Sequence, residues 1–120
     1  INPMVVEGQV SGGVVQGIGG VLYEHMAYDD AGNPLASTFL DYLLPGAAEM
    51  PIIEIGHCET LADTEGGFKG MSEGGTIGAP AAVANAVADA LAPLGVLTGE
   101  FPMGPSQIID LIEAAASASA

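Results

Sequence analysis

Arginine and tryptophan are absent, and Lys69 is the only lysine against fifteen acidic residues, for a formal net charge of −14 over 120 residues. A nucleic-acid backbone would be repelled by such a surface, and so would anionic lipid headgroups, which excludes both as partners. A single cysteine, Cys58, excludes an intrachain disulfide and a cysteine-ligated iron–sulfur cluster. With no visible signal peptide it fits a reducing, cytoplasmic setting. No uncharged apolar run reaches the length of a membrane span; the nearest, Ala81 to Leu97, is broken by Asn85, Asp89 and Pro93. The acidity fits a high-salt environment, where self-repulsion is screened, and equally an acidic face on a larger, more balanced protein.

Nucleotide motifs are missing too. Gly17-Ile18-Gly19-Gly20 fails the dinucleotide fingerprint because Leu22 stands where its last glycine belongs and no strand precedes it. No Gly-Lys-Ser or Gly-Lys-Thr occurs. His25, His57 and Cys58 lack the spacing of a metal site. Ser72-Glu73-Gly74-Gly75 lacks the frame of a nucleophile elbow.

What is present is glycine and small apolar residues. The length suits one small domain, and a start at Ile1-Asn2-Pro3 reads as a piece of a longer polypeptide whose remainder completes the core. Asn2 is a natural helix cap and Pro3 suits the first helical position. Val6, Val10, Val14, Ile18, Val21 and Leu22 then recur at helical spacing, predicting a helix from Pro3 to about His25. Gly8 and Gly12 lie one turn apart, as do Gly13 and Gly17. Each costs about 0.5–1 kcal/mol in a helix interior, so close approach of another backbone or of a flat ligand is expected along them.

Strands are expected at Ser37–Leu44 and Ile52–Thr60 on either side of Pro45-Gly46, from their apolar and β-branched content. Residues 61–79 read as a glycine-rich loop of the length that is often functional. Helices are expected at Pro80–Ala92 and Pro105–Ala114, with a frayed tail over 115–120. The fold class is therefore α+β.

The densest chemistry lies in Phe68-Lys69-Gly70-Met71-Ser72-Glu73-Gly74-Gly75-Thr76-Ile77-Gly78-Ala79-Pro80, where the sole cation precedes a carboxylate in a loop leading into a helix. Amides near a helix start can face an anion, and glycines admit a ligand to the backbone. From Lys69 through Ala90 this stretch resembles the C-terminal signature of molybdenum hydroxylase large subunits. That family comprises xanthine dehydrogenases, aldehyde oxidoreductases and aerobic carbon monoxide dehydrogenases. Two further segments match in order: Ile1-Asn2-Pro3 with Glu7-Gly8-Gln9 and Gly12 to Gly19, and Phe39 to Pro45.

The resemblance implies the C-terminal part of a molybdopterin-binding domain, spanning residues 1–120, in an enzyme that hydroxylates an aldehyde, purine or other N-heterocycle with water as oxygen source. It implies Glu73 as the catalytic base and no residue ligating the metal directly. It implies contact with the molybdenum-pterin cofactor, in its cytosine dinucleotide form if bacterial, from Gln16, Gly13, Gly17, Lys69, Gly70 and Ser72. Ser72 departs from the glycine usual before the glutamate and adds bulk there. Iron–sulfur clusters and FAD are expected on other domains or subunits, which with the rest of the large subunit are the implied partners. A carbon monoxide dehydrogenase segment, or a non-catalytic module of the same fold, are the alternatives.

Overall fold

In the computed structural model, which describes residues 1–118, two glycine-rich helices lie against each other and a third crosses near their far end. Helix α1 spans Pro3–Leu22; the Asn2 side chain caps it by accepting from the Val5 amide at 3.3 Å, with Pro3 in the first turn. It ends one turn short of the expected His25. Tyr23 leaves helical geometry, and the amides of Tyr23 and Glu24 both close on the Gly19 carbonyl at 2.9 Å.

Helix α2 spans Gly74–Leu91, six residues longer at its start than expected. Proline prefers the first turn, which favours a start at Pro80. Here Pro80 lies inside the helix. It leaves the Thr76 carbonyl without an i+4 donor, and packing on α1 compensates. Short 3-10 turns follow at Ala92–Leu94 and precede at Glu65–Gly67. Helix α3 spans Pro105–Ala118, so the tail expected to fray over 115–120 is helical through Ala118; Ser119 and Ala120 lie outside the described residues.

The α1–α2 contact is backbone against backbone. A Cβ on Gly13 would stand 2.7 Å from the Gly75 carbonyl carbon and 2.8 Å from the Thr76 nitrogen. One on Gly17 would meet the Ala79 Cβ at 2.5 Å and the Pro80 ring at 3.1 Å. From the other side, a Cβ on Gly75 would strike the Val10 carbonyl oxygen. The glycine strip thus serves helix packing. Gly8 and Gly12 are different: nothing lies within 4 Å of where their Cβ atoms would be.

Neither expected strand forms, and among the described residues the one β-type pairing is the isolated bridge between Tyr28 and Pro34. At Ser37–Leu44 local hydrogen bonds win over a ladder. The Thr38 hydroxyl accepts from the Leu40 amide at 3.2 Å and donates to the Asp41 carboxylate at 3.0 Å, while the Thr38 carbonyl accepts from Tyr42 at 2.8 Å. The turn is latched to the end of α1 by the Tyr42 hydroxyl, which donates to Glu24 at 2.6 Å; that bond raises the phenol's pKa above its ordinary value. At Ile52–Thr60 the alternation survives, with Ile53 and Ile55 half-buried and Ile52 and Glu54 exposed, but no neighbouring strand is there to pair with. The turn at 29–33 is built as its composition suggests. Asp29 accepts from the Ala31 and Asn33 amides and from the Asn33 side chain at 2.8–2.9 Å, and these bonds hold its carboxyl below the usual range.

The buried apolar residues are few: Val21, Ala36, Leu91, Val96 and Met103; the Met103 amide donates to the Val21 carbonyl at 2.6 Å. The radius of gyration is 18.4 Å, against about 14 Å for a compact domain of this length. Ile52 at 95%, Leu97 at 92%, Leu40 at 88% and Leu61 at 83% are almost fully exposed. Gly74–Leu94 has the length and hydropathy of a membrane-crossing helix, yet it carries Asn85 and Asp89 and packs along α1.

So small a core beside so much exposed apolar surface cannot offset the conformational entropy of ordering the chain. Expressed alone, the chain is expected to aggregate or to melt without a cooperative transition by circular dichroism. A sharp, reversible transition of the monomer would contradict this.

Candidate active site

The α1–α2 contact delivers Glu73 to a defined place. Glu73 is the N-cap of α2, with φ −113° and ψ −1°, and its carbonyl accepts from the Thr76 amide at 3.0 Å. Short polar side chains are the usual caps because they fold back onto the first free amides. Glu73 does not: its side chain makes no capping hydrogen bond and is exposed. The carboxylate is thus unspent, and it stands beside the positive end of an 18-residue helix.

The loop before it is held at few points. Gly67 donates to the Thr64 carbonyl at 2.9 Å, with Gly66 and Gly67 at positive φ of 80° and 68°. The Lys69 amine donates to the Thr60 hydroxyl at 2.6 Å, lining a groove with His57 and the first residues of α1. Gly70 stands open, with nothing within 4 Å of where a Cβ would be. Ser72 is exposed, and its carbonyl accepts from the Gln9 amide of α1 at 3.2 Å.

Gln16 lies two turns beyond Gln9 on the same side of α1, exposed, with the open Gly12 between them. The structure therefore ties Gln9, on the Gln9–Gly12–Gln16 face of α1, to the loop that carries Gly70, Ser72 and Glu73. Gly13 and Gly17 do not join it. Both are expected from the resemblance to contact the cofactor; both are buried against α2, Gly13 facing the Gly75–Thr76 backbone and Gly17 the Ala79 methyl and the Pro80 ring. Gln9 is not among the residues expected from the sequence, although it stands in the matching Glu7-Gly8-Gln9 stretch. Its spacing from Gln16 is the signal that could have found it.

The other candidates stay apart. His57 faces Glu7 at 4.0 Å, His25 pairs with Gln107 at 3.4 Å, and Cys58 is free and exposed. Among the described residues no group of three His, Cys, Asp or Glu could hold a metal ion. A cleft of about 800 Å³ lies between α3 and residues 97–103 and excludes Glu73, so size alone does not mark the chemistry.

Residues 1–51 match the family model of the molybdopterin cofactor-binding domain. The chain is 53% identical to the nicotine 6-hydroxylase large subunit of Paenarthrobacter nicotinovorans over 91% of its own length and 14% of that subunit. It is 38% identical to the carbon monoxide dehydrogenase large chain of Hydrogenophaga pseudoflava, over 85% of this chain and 13% of that one. The crystal structure of quinoline 2-oxidoreductase from Pseudomonas putida 86 superposes with a TM-score of 0.89 at 47% identity, covering 94% of this chain and 14% of that one. The chain belongs to the molybdenum hydroxylase large-subunit family. It spans about one seventh of the length of these relatives.

Because Gly75 meets the backbone of Val10, Gly75→Ala must push the start of α2 off α1. In the assembled subunit a loss of about 1–3 kcal/mol is expected, from the usual cost of overpacking. A lowered thermal midpoint checks it, and an unchanged midpoint would remove this contact as the element that sets Glu73.

Proposed function

We propose that this chain forms the C-terminal part of the molybdenum-cofactor-binding domain of a cytoplasmic enzyme that hydroxylates an aromatic N-heterocycle, with water as oxygen source and Glu73 as catalytic base. The observation that carries it is the unspent Glu73 carboxylate at the N-cap of α2, in a loop fastened to the glutamine-bearing face of α1. The N-heterocycle is favoured over carbon monoxide by the greater identity to nicotine and quinoline enzymes, 53% and 47%, than to the carbon monoxide dehydrogenase, 38%.

The residues fit a flat, hydrogen-bonding cofactor. Gly12 and Gly70 leave open space where any side chain would intrude. Gln16 offers both a donor and an acceptor that do not titrate. Ser72 adds a hydroxyl, and Lys69 brings the only cation of the chain to the loop. Gln16, Lys69, Gly70 and Ser72 would hold the molybdenum-pterin cofactor, in its cytosine dinucleotide form. When bound, that cofactor supplies the two-electron oxidation. Glu73 accepts, on a carboxylate oxygen, the proton that the water-derived oxygen gives up as it adds to the ring carbon. Iron–sulfur clusters and FAD on partner domains or subunits take the electrons onward.

The remainder of the large subunit completes the pocket and excludes water. A strand supplied by that remainder would pair with the alternating Ile52–Thr60 segment and restore the α+β character. The exposed Ile52 and Leu61 support such a partner.

The complete enzyme, loaded with molybdenum, should transfer labelled oxygen from water to a quinoline- or pyridine-type substrate. Glu73→Gln keeps the shape and the hydrogen bonding but cannot accept a proton, so turnover should fall about 10²–10⁴-fold at unchanged molybdenum content. Glu59→Gln and Glu65→Gln should change it less than about tenfold, roughly 1.4 kcal/mol of barrier. Near-normal turnover of Glu73→Gln at full occupancy would overturn the assignment of the base. Oxidation of carbon monoxide with none of the heterocycles would overturn the substrate class.

A further inference from the structure

We infer that Gln9 is a positioning residue for Glu73, acting through the backbone of Ser72; the inference rests on the reading of Glu73 as the base. The Gln9 side-chain amide donates to the Ser72 carbonyl at 3.2 Å across 63 residues of chain. Among the described residues it is the side-chain hydrogen bond that reaches Gly70–Glu73 from another element.

The bond falls where it has leverage. The Ser72 carbonyl and the Glu73 nitrogen share one peptide plane, and that plane is rigid. Holding the carbonyl therefore sets the direction from which the Glu73 side chain leaves the backbone. On the far side of Glu73, Gly75 is wedged against Val10, one residue along α1 from Gln9. Glu73 is thus fixed from before by a hydrogen bond and from after by a steric contact, both from a single turn of α1. Elsewhere the segment is soft, since Gly70 meets nothing within 4 Å and Gly74 faces only the flexible Met71 side chain. Without the Gln9 amide the Ser72–Glu73 peptide can rotate, and the carboxylate no longer points one way.

The test uses the complete, molybdenum-loaded enzyme, with rates expressed per bound molybdenum. Gln9→Met keeps the length and loses the donor; Gln9→Lys restores a donor. Gln9→Met should lower kcat about ten- to hundredfold, the scale of a misplacement near 1 Å, with KM and molybdenum content little changed. Gln9→Lys should recover most of the loss. Deuterium uptake should quicken in peptides covering 69–75 of Gln9→Met and stay unchanged across α2 and α3. In a Glu73→Gln background Gln9→Met should alter the residual rate less than about twofold, because a residue acting only through Glu73 has nothing left to position.

Full kcat in Gln9→Met beside an inactive Glu73→Gln overturns this inference and leaves the base assigned. An active Glu73→Gln overturns that assignment itself. Loss of molybdenum in Gln9→Met that Gln9→Lys does not reverse, a general rise in deuterium uptake, or multiplying losses in the double variant each assign Gln9 a different role and overturn the inference.

Discussion

The close approach of α1 and α2 is the constraint on which the rest depends. It requires glycine on both sides: Gly13 and Gly17 on one helix, Gly75 on the other. Each glycine costs about 0.5–1 kcal/mol of helix stability, and helices alone would be better off with alanine. The cost is borne because a methyl group at any of the three positions would strike backbone or the Pro80 ring. Once the helices touch at that distance, the start of α2 has one place to be, and Glu73 is its N-cap. The same contact makes Pro80 tolerable, since it packs on Gly17 as it interrupts the helical ladder.

The helix pair fixes only one edge of a site. Apolar side chains of both helices, Met4, Val5 and Ile77 among them, stand exposed, and Val21, the most deeply buried side chain, lies at the end of α1, where its carbonyl accepts from the Met103 amide. The matched chain of quinoline 2-oxidoreductase, on which this fold superposes at a TM-score of 0.89, is about seven times longer. The charge follows the same logic. A net charge of −14 on 120 residues repels itself, and a surrounding, less acidic structure or screening by salt relieves that repulsion.

Helix α1 is legible in the sequence because capping, proline placement and apolar period all agree there. Glu73 is legible through the resemblance, since nothing local marks an exposed glutamate in a glycine-rich loop. The start of α2 is not, because the rule that places proline in the first turn outweighs Gly74 to Ala79, whose helicity comes from packing on α1. The strands fail for two different reasons. Thr38 and Asp41 form a side-chain turn that competes with a ladder. Ile53 and Ile55 do alternate inward, but pairing is a property of two segments, and among the described residues no second strand stands beside them. Gln9 is marked only by its seven-residue spacing from Gln16, because a glutamine on an exposed helix face is otherwise ordinary until a distant carbonyl is placed opposite it.

The cap position explains why a glutamate, rather than a shorter acid, can serve here. An aspartate in the same place would fold back onto the first amides of α2, as caps do, and its oxygen would be occupied as an acceptor. A glutamate has one more methylene and a weaker tendency to close that ring, so its carboxylate stays clear of the backbone and the α2 amides act on it only through their field. Ser72, which could itself compete as a cap, makes its link to α1 through its carbonyl rather than its hydroxyl. The backbone thus holds the loop in place, and the Glu73 carboxylate, proposed as the base, is left without a structural duty.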